Sequence, residues 1–405
     1  MSKKQLCYQC FQEFAPHEVW FRCENAAAEG NRTETCAFQI DRYQGNSMRR
    51  AFPFHGSLLA TARSFFKAPT HCYCDKCGHK SHKRICPHCH WKLPSSLGQL
   101  AEQIVAIVGN SSSGKSHYFT VLLESELRNG ITGQRLGACL GAADNDTEKL
   151  YNKAYWEPLF GQKLAIQQTQ ADIAQIGKRH LRLIWSLTLT LQKIKRKLTL
   201  VFYDIAGELL QDVGGDDDAK AKATRYLWNS SGIIYLVNPR DVLGWRRYLT
   251  LSDDDLATPI VPPDVLLNKI VNALRENASI AAEKKIKIPI AVCVSQFDRL
   301  YEKRAAAGLR EELFDPATAP FEHSGSLNQG SVESESQEIQ DFLGRSGANA
   351  LVQMAVQNFA TCRFFAVSAL GSTPVGLEQR IEEIKPCRVA IPFVWILSKT
   401  LGKKR

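Results

Sequence analysis

Short apolar runs alternate with polar segments along the last three quarters of the chain, and several of these runs end in residues that carry chemistry. Residues 232–237 are apolar throughout, which is typical of a parallel strand covered on both faces. Residues 181–191 and 198–203 are rich in β-forming residues, and only the polar turn 192–197 separates them. We expect these two runs to form an antiparallel hairpin. The other predicted strands are residues 104–108, 288–294 and 363–367.

Helices and loops are expected between these strands. Residues 117–129 form a predicted helix after the first strand, and residues 209–231 a loop and a helix. Two helices are predicted in the polar excursion 239–285, and residues 386–397 form a last helix. Residues 316–340, rich in Pro, Gly and Ser, are predicted to be a disordered loop. This alternation predicts an α/β class, a three-layer fold with one antiparallel strand.

The first strand ends in the motif Gly-x-x-x-x-Gly-Lys-Ser, which a helix follows. Strand, loop and helix in this order predict a P-loop, a backbone cradle for nucleotide phosphates. Gly109 and Gly114 let successive N–H groups point at phosphate oxygens, and Lys115 reaches the β- and γ-phosphates. Ser116 is expected to ligate Mg²⁺. The predicted phosphate-binding residues are Gly109, Asn110, Ser111, Ser112, Ser113, Gly114, Lys115, Ser116 and His117.

Two further motifs concern the magnesium ion and the γ-phosphate. The second hairpin strand ends in an Asp-x-x-Gly sequence, in which Asp204 is expected to hold Mg²⁺ through water and Gly207 to contact the γ-phosphate. Thr169 is the first choice for the threonine that closes on Mg²⁺, with Thr132 and Thr147 as alternatives.

Two later strands end in sequences that resemble base-binding elements of GTPases. Ser-Gln-Phe-Asp follows one strand and is similar to Asn/Thr-Lys-x-Asp, in which the Asp accepts hydrogen bonds from guanine N1 and N2. Ser-Ala-Leu follows the last strand and is similar to the segment whose backbone contacts guanine O6. Because Gln296 replaces the usual lysine, guanine preference depends on Asp298, and an ATPase stays an alternative. The predicted base-binding residues are Ser295, Gln296, Asp298, Ser368, Ala369 and Leu370.

Nine of the thirteen cysteines precede residue 90, which in a chain without a secretory signal indicates metal binding rather than disulfides. Two adjacent Cys-x-x-Cys pairs predict a compact zinc ribbon with four thiolate ligands, and a looser set of four cysteines predicts a second site. The alternative is a cross-braced arrangement, in which the first pair shares a metal with a distant pair. The ribbon ligands are Cys74, Cys77, Cys86 and Cys89, and the second set is Cys7, Cys10, Cys23 and Cys36.

Length and charge divide the chain further. At 405 residues it suits two or three domains, and we expect a zinc-binding domain over 1–98. The nucleotide domain is expected over 99–405, with insertions at 239–285 and 301–345. The first 98 residues carry 14 Lys and Arg against 7 Asp and Glu, so they are suited to an acidic partner or nucleic acid unless zinc thiolates offset the charge. No apolar run is long enough for a transmembrane helix or a signal peptide, which favours the cytoplasm.

The ordered motifs resemble the TRAFAC, translation-factor-like class of P-loop GTPases. More narrowly, the chain is similar to bacterial double-GTPase and TRAFAC-clade domain proteins with a cysteine-rich N-terminus. The resemblance implies a GTPase in a bacterial conflict, defence or signalling system that works beside a protein partner. It rests on Cys7-Tyr-Gln-Cys10-Phe, Phe21-Arg-Cys23, Cys86-Pro-His-Cys89 with Leu93-Pro94, Gly114-Lys-Ser-His-Tyr118 and Tyr203-Asp-Ile-Ala-Gly-Glu208.

These motifs predict a Mg²⁺-dependent switch that binds and hydrolyses GTP, with Lys115, Gly207 and Glu208 as catalytic residues. Glu208 stands where many GTPases have a glutamine that positions the attacking water. A carboxylate there is repelled by the γ-phosphate and lacks an amide donor, so we expect slow intrinsic turnover. The alternative is a nucleotide-loaded scaffold whose zinc head binds a protein or nucleic acid.

Overall fold

The hydrophobic pattern is realised in two separate units. The computed structural model divides the chain into Met1–Ala101 and Glu102–Arg405, each with its own internal packing. The structure describes residues 4–25, 36, 38–55, 68–98, 101–110, 112–166, 182–191, 194–203, 217–251, 260–322, 326–376 and 378–401.

The amino-terminal unit is built from two- and three-residue strands, as expected of a small cysteine-rich module. Three pairs form antiparallel hairpins, namely β1 with β2, β4 with β5 and β7 with β8. The middle strand β3 pairs with both β6 and β9. The strands are β1 Gln5–Leu6, β2 Glu13–Phe14, β3 Trp20–Arg22, β4 Gln39–Ile40, β5 Ser47–Met48, β6 Ala51–Pro53, β7 Cys72–Tyr73, β8 Lys80–Ser81 and β9 Arg84–Ile85.

Four turns in this unit share one hydrogen-bond pattern. The amide of the first residue donates to the carbonyl five residues later, and the amide four residues later donates back to the first carbonyl. The residue that donates back has a left-handed backbone in every case. The four turns begin at Cys7, Asp41, Cys74 and Cys86, and their left-handed residues are Phe11, Gly45, Gly78 and His90.

A seven-stranded sheet forms the centre of the second unit, in the order β11-β12-β13-β10-β14-β15-β16. Strands β10, β14, β15 and β16 are parallel, so their carboxyl ends meet at one edge. Strand β12 runs antiparallel to both of its neighbours. The strands are β10 Ala101–Gly109, β11 Cys139–Ala142, β12 Arg182–Leu191, β13 Ile194–Tyr203, β14 Gly232–Val237, β15 Ile290–Val294 and β16 Cys362–Ala366.

Helices cover both faces of the sheet, as the alternate residues of β14 show. Ile234 and Leu236 join a buried core with the helix after the P-loop and the last helix of the chain. Tyr235, on the other face, donates from its hydroxyl to the Pro263 carbonyl. The helices are α1 Lys115–Val121, α2 Ile131–Leu136, α3 Asn145–Tyr151, α4 Asp217–Trp228, α5 Pro263–Ala278, α6 Arg304–Ala307, α7 Gln329–Arg345, α8 Asn349–Asn358 and α9 Ala390–Thr400.

The expected α/β class and hairpin are confirmed, with differences in detail. The hairpin turn is shorter than predicted, since β12 ends at Leu191 and β13 begins at Ile194. Strand β11 was absent from the sequence prediction. Wider π-type turns extend α1 through Leu122–Arg128 and α3 through Asn152–Gly161.

One prediction about the insertions is wrong. Residues 316–340 contain most of α7 instead of a disordered loop, because Asn328 caps the helix by accepting from the Ser331 amide. Its buried residues Val332, Ile339 and Phe342 lie on one helical stripe that packs against β16. In the excursion 239–285, the described residues hold one α-helix, α5, preceded by short 3₁₀ turns. Residues 252–259 lie outside the described ranges, so the second predicted helix stays a prediction.

Candidate functional site

Eight cysteines of the amino-terminal unit form two four-sulfur groups. Within each group the sulfur atoms all lie within 4.8 Å of one another. All but Cys77 and Cys89 are buried. The first cluster comprises Cys7, Cys10, Cys86 and Cys89, and the second cluster comprises Cys23, Cys36, Cys74 and Cys77.

The sulfur separations fit a tetrahedral metal. Adjacent sulfurs are 3.7 and 3.8 Å apart in the first cluster and 3.6 Å apart for two pairs in the second. Zinc–sulfur bonds of about 2.3 Å in a tetrahedron place sulfurs about 3.8 Å apart. Backbone amides of Gln9 and His88 also donate to Cys7 and Cys86 sulfurs, a contact that favours the thiolate. The residues therefore fit two structural zinc ions.

The predicted grouping of the ligands is wrong, and the cross-braced alternative describes the structure. The adjacent pairs Cys74/Cys77 and Cys86/Cys89 belong to different clusters. The reason is the ladder between β3 and β9, in which Trp20 faces Ile85 in antiparallel register. Because β3 leads into Cys23 and β9 into Cys86, these two cysteines lie at opposite ends of the ladder.

A buried ion-pair network holds the turn that begins at Asp41. Its carboxylate accepts hydrogen bonds from Arg22 Nη2 and His90 Nδ1, both at 2.8 Å. It also accepts the amides of Tyr43 and Gln44 at 3.0 and 3.1 Å. Burial alone raises the pKa of Asp41, but the hydrogen bonds from His90 and Arg22 outweigh it, so its pKa lies below the ordinary value. Asp41 stands at the first position of its turn, where the other three turns have a cysteine, so a carboxylate replaces the sulfur there.

In the second unit the P-loop has the backbone of a phosphate cradle. Strand β10 pairs with β14 so that Gly109 faces Leu236, and a Cβ added at Gly109 would lie 2.5 Å from the Leu236 carbonyl oxygen. Ser112 and Gly114 are left-handed, with φ of 61° and 81°. Lys115 Nζ donates to the carbonyls of Gly109 and Asn110 at 3.1 and 3.0 Å. The ammonium therefore lies against the loop.

Side chains from neighbouring strand ends fix this loop. Asn238 Nδ2, just after β14, and Gln296 Nε2, just after β15, both donate to the Ser112 carbonyl at 3.0 Å. Asn110 Nδ2 donates to the Asp241 carboxylate at 3.2 Å. Burial raises the pKa of Asp241, while Asn110 and Arg240 favour its charged form.

Asp298 and Ser368 meet beyond the ends of β15 and β16. Ser368 Oγ donates to Asp298 Oδ1 at 2.5 Å and accepts from the Gly371 amide at 2.9 Å. Burial raises the pKa of Asp298, and the hydrogen bond from Ser368 partly opposes the shift. A cavity of about 720 Å³ opens here, lined by Asp298 and Ser368 together with Phe297, Phe314, Tyr301 and Lys385. The two predicted base motifs therefore reach one cavity.

His117 does not point its Nε2 at the phosphate loop. The Ile166 amide donates to this nitrogen at 2.9 Å. Burial lowers the pKa of His117 to about 4, so the ring is neutral at physiological pH and Nε2 is available as an acceptor.

Several predicted residues lie outside the described ranges, namely Ser111, Thr169, Asp204, Gly207 and Glu208. Both alternatives to Thr169 have structural contacts. Thr132 Oγ1 donates to Glu126 at 2.7 Å, and Thr147 Oγ1 accepts from the Ile184 amide at 3.2 Å.

Asn238 and Asp241 contact the P-loop but were not among the predicted site residues. Asn238 is the first polar residue after the apolar run 232–237, on the strand beside the P-loop strand. That position was readable from the sequence, since parallel strands end at one edge. The position of Asp241 in the site could not be predicted, because it is set by the turn after Asn238 and no sequence pattern indicates that turn.

No protein-family model matches the chain. A curated relative from Mycolicibacterium smegmatis (strain ATCC 700084 / mc(2)155) carries the name ESX-1 scaffolding and assembly protein SaeC. It is 27% identical over 327 residues, which are 78% of this chain and 79% of that protein.

Two solved structures of the Ski7 GTPase-like domain from S. cerevisiae are also similar, one bound to GTP and one to GDP and inorganic phosphate. Their identities are 11% and 12%, each with a TM-score of 0.33. Each alignment covers 76% of this chain and 51% of the Ski7 chain, so this chain spans about half the length of those structures. Among the helices described here, none has the length and apolar character needed to cross a membrane.

Proposed function

We propose that the second unit binds a nucleoside triphosphate with Mg²⁺, prefers guanine and hydrolyses GTP slowly. The observation that carries the proposal is the phosphate cradle. A glycine stands at Gly109 where a Cβ would meet a backbone oxygen, Ser112 and Gly114 turn the loop, and Lys115 lies against it. Such a loop at a helix start binds phosphate through backbone N–H groups and the helix dipole.

In this proposal the residues around the cradle have distinct roles. Lys115 leaves the loop carbonyls to contact the β- and γ-phosphates, and Ser116 holds Mg²⁺ with Asp204 and Thr169 as further predicted ligands. When bound, Mg²⁺ neutralises charge that develops on the phosphates. Asn238 and Gln296 keep the Ser112 carbonyl turned away from the phosphates, so the loop amides stay directed toward them.

The proposed base site is the cavity at Asp298. An ionised carboxylate accepts two N–H groups from guanine and has no donor for adenine N1. Ser368 orients the carboxylate through Oδ1 and leaves lone pairs on both oxygens for a ligand. Gln296 donates to the P-loop here, so selectivity for guanine depends on Asp298.

Turnover is expected to need a partner. Glu208 and Gly207 remain predicted residues of the catalytic step. A carboxylate near the γ-phosphate positions the attacking water poorly, because the phosphate repels it. Replacing Glu208 by Gln tests the assignment, because an unchanged turnover rate would remove Glu208 from the chemistry.

We also propose that the amino-terminal unit holds two zinc ions in a structural role. Four thiolates close each site and leave no open position for catalysis. The name of the curated relative favours a second function, a nucleotide-loaded scaffold that binds a protein partner through this head. Nucleic acid is the alternative ligand, and its binding would weaken steeply with salt.

The deciding experiment is a titration of the purified chain with GTP, GDP and ATP in Mg²⁺, beside the Lys115→Ala and Asp298→Ala variants. We expect the unmodified chain to bind GTP tightly. Lys115→Ala should lose binding of all three nucleotides, whereas Asp298→Ala should lose only the preference for guanine. Equal affinity for ATP and GTP in the unmodified chain would refute the guanine site and leave the P-loop. No binding of any nucleotide would refute the proposal.

A further inference from the structure

The cavity beyond the ends of β15 and β16 has polar groups for the edge of a planar ligand and aromatic rings for its face. Asp298 and Ser368 supply the polar atoms, and the aromatic residues Phe297, Tyr301 and Phe314 line the same cavity. Its volume of about 720 Å³ lies within the range of about 300–1,000 Å³ that is typical of small-molecule sites. Because water competes for edge hydrogen bonds, a stacking surface contributes much of the affinity for a heteroaromatic ring.

Of these three rings, Phe314 is the one whose face suits a ligand. Phe297 is 2% exposed, so it offers almost no surface of its own. Tyr301 is exposed, but the guanidinium of Arg304 lies over its ring, 4.1 Å from the centroid. Phe314 is half-buried and stacks on Phe297, with the ring centroids 4.5 Å apart and an angle of 18° between the planes. Phe297 therefore fixes the plane of the Phe314 ring, and Phe314 contributes ring surface to the cavity.

The segment that carries Phe314 is anchored before and after the ring. Arg388 Nη2 donates to the Glu312 carbonyl and to Thr318 Oγ1, both at 2.9 Å. The Arg388 side chain is itself 2% exposed and pairs with Glu335 at 2.6 Å. Because these contacts hold the chain on both sides of Phe314, the ring is in place before a ligand enters. Such preorganisation lowers the entropy that is lost on binding.

Gln296, two residues before Asp298, makes its contact at the P-loop instead. Its Nε2 donates to the Ser112 carbonyl at 3.0 Å. Gln296 is not among the described residues that line the cavity. The contact for the face of a base must therefore come from elsewhere, and Phe314 lies in the predicted insertion 301–345 that follows the base motif.

We propose that Phe314 is the surface on which the face of a purine base stacks, while Asp298 binds the edge of that base. The inference rests on the proposed function and adds Phe314 as a ligand-binding residue of the same cavity. It assigns Phe314 a share of the affinity but none of the selectivity, because every base has a π-face and a stacked ring does not distinguish hydrogen-bonding groups.

The test measures the affinity of the full chain for GTP, GDP and inorganic triphosphate in Mg²⁺ by calorimetry. Removing a ring on which a base stacks weakens binding, so Phe314→Ala should bind GTP and GDP about tenfold more weakly than the unmodified chain. Phe314→Tyr keeps the ring and should stay within about threefold. Inorganic triphosphate has the phosphates without a base, so its affinity for Phe314→Ala should stay within about twofold of the unmodified value.

Phe321→Ala is the matched control. Phe321 is a half-buried phenylalanine of the same insertion that packs on the core of the second unit, and it is not among the described residues that line the cavity. This variant should melt at a lower temperature and keep its GTP affinity. An equal loss of GTP and triphosphate affinity in Phe314→Ala would indicate a structural role for the ring and overturn the proposal.

The remaining outcomes separate this inference from the proposed function. Unchanged GTP affinity in Phe314→Ala would overturn the inference and leave the phosphate cradle intact. If the unmodified chain binds ATP as tightly as GTP, the guanine assignment of Asp298 fails, but Phe314→Ala should still weaken both nucleotides. If the unmodified chain binds neither triphosphate nor nucleotide, the proposed function fails and this inference fails with it.

A second variant keeps the proposal testable if Phe314→Ala does not fold. A purine base that stacks on an indole quenches its fluorescence, so GTP should quench the emission of Phe314→Trp. The quenching should exceed any change in the unmodified chain, which contains seven tryptophans. Inorganic triphosphate should not produce it. Equal responses to GTP in the two proteins would contradict the stacking.

Discussion

Asp298 is subject to two opposing requirements. Burial raises its pKa, so folding favours the neutral form of this carboxyl over the ionised form. The proposed binding of guanine, in contrast, needs the ionised form because a carboxylate must accept two N–H groups. A group whose pKa is raised on folding contributes stability below its unfolded pKa and loses that contribution as pH rises through the folded value. The nucleotide-free chain is therefore stabilised when this carboxyl is neutral.

Asp298→Asn is expected to change stability and binding in opposite directions. At neutral pH the variant should melt at a higher temperature than the unmodified nucleotide-free chain, since its amide carries no charge to bury. Its preference for GTP over ATP should disappear. In the unmodified chain that preference should fall on acidification at a pH above about 4, the ordinary value for aspartate. Melting curves and GTP and ATP titrations across pH check this, and a lower melting temperature for Asp298→Asn would contradict it.

The pKa of Asp41 is shifted in the opposite direction from that of Asp298, to below the ordinary value. Its side chain is 3% exposed and bridges Arg22 and His90 at the turn of the β4–β5 hairpin. Removing one partner of such a network leaves the other charge buried and unpaired, at a cost of about 3–5 kcal/mol. Asp41→Ala should destabilise the zinc-loaded amino-terminal unit by about that amount.

The matched control is Asp75→Ala, which removes the Arg50 pair whose carboxylate is 39% exposed. Exposed pairs contribute about 0–1 kcal/mol, so the control should unfold almost as the unmodified chain does. Chemical unfolding followed by amide exchange in residues 1–101 distinguishes the two. Equal effects of the two variants would show that the Asp41 network is not what holds the hairpin.

Motif residues were easier to predict than the residues that support them. The P-loop, Asp298 and Ser368 follow apolar strands, and parallel strands bring their ends to one edge. His117 was placed in the phosphate set by its position in sequence, and the structure directs its Nε2 to Ile166 instead. That contact joins residues far apart in the chain, and no local pattern reports such a contact.

At the scale of elements, the strands were predicted better than the grouping of the cysteines and helix α7. Uniform apolar runs and a short polar turn are local signals, so the hairpin β12–β13 could be read from the sequence. Helix α7 was obscured by its Ser- and Glu-rich exposed face, although its buried residues recur at helical spacing. Cysteine spacing identified pairs, but the β3–β9 ladder decides which pairs share a site.

Zinc stoichiometry of double cysteine variants tests the cross-braced grouping. Cys10→Ser with Cys86→Ser damages the first cluster alone, so one zinc per chain should remain. Cys10→Ser with Cys23→Ser damages both clusters, so no zinc should remain. Grouping by sequence order predicts the opposite result for each variant. Metal analysis of the purified proteins, with the unmodified chain expected to hold two zinc ions, decides between them.

At the scale of the whole molecule, the two units depend on different forces. The amino-terminal unit has strands of two or three residues, and we expect it to gain folding free energy from the proposed zinc binding. The second unit has an extensive buried core of its own around the sheet. Loss of metal is therefore expected to affect one unit and spare the other.

Removing zinc from the full chain with a thiol reagent or chelator, followed by restored Mg²⁺, tests this separation. Amide protection should be lost in residues 1–101, because metal-dependent modules unfold without their ions. GTP affinity of the second unit should stay within about threefold, since its cradle and base residues all lie in residues 102–405. The converse control is Lys115→Ala, which should lose nucleotide and retain both zinc ions. A collapse of GTP affinity on zinc removal would instead demonstrate that the head and the nucleotide site are energetically coupled.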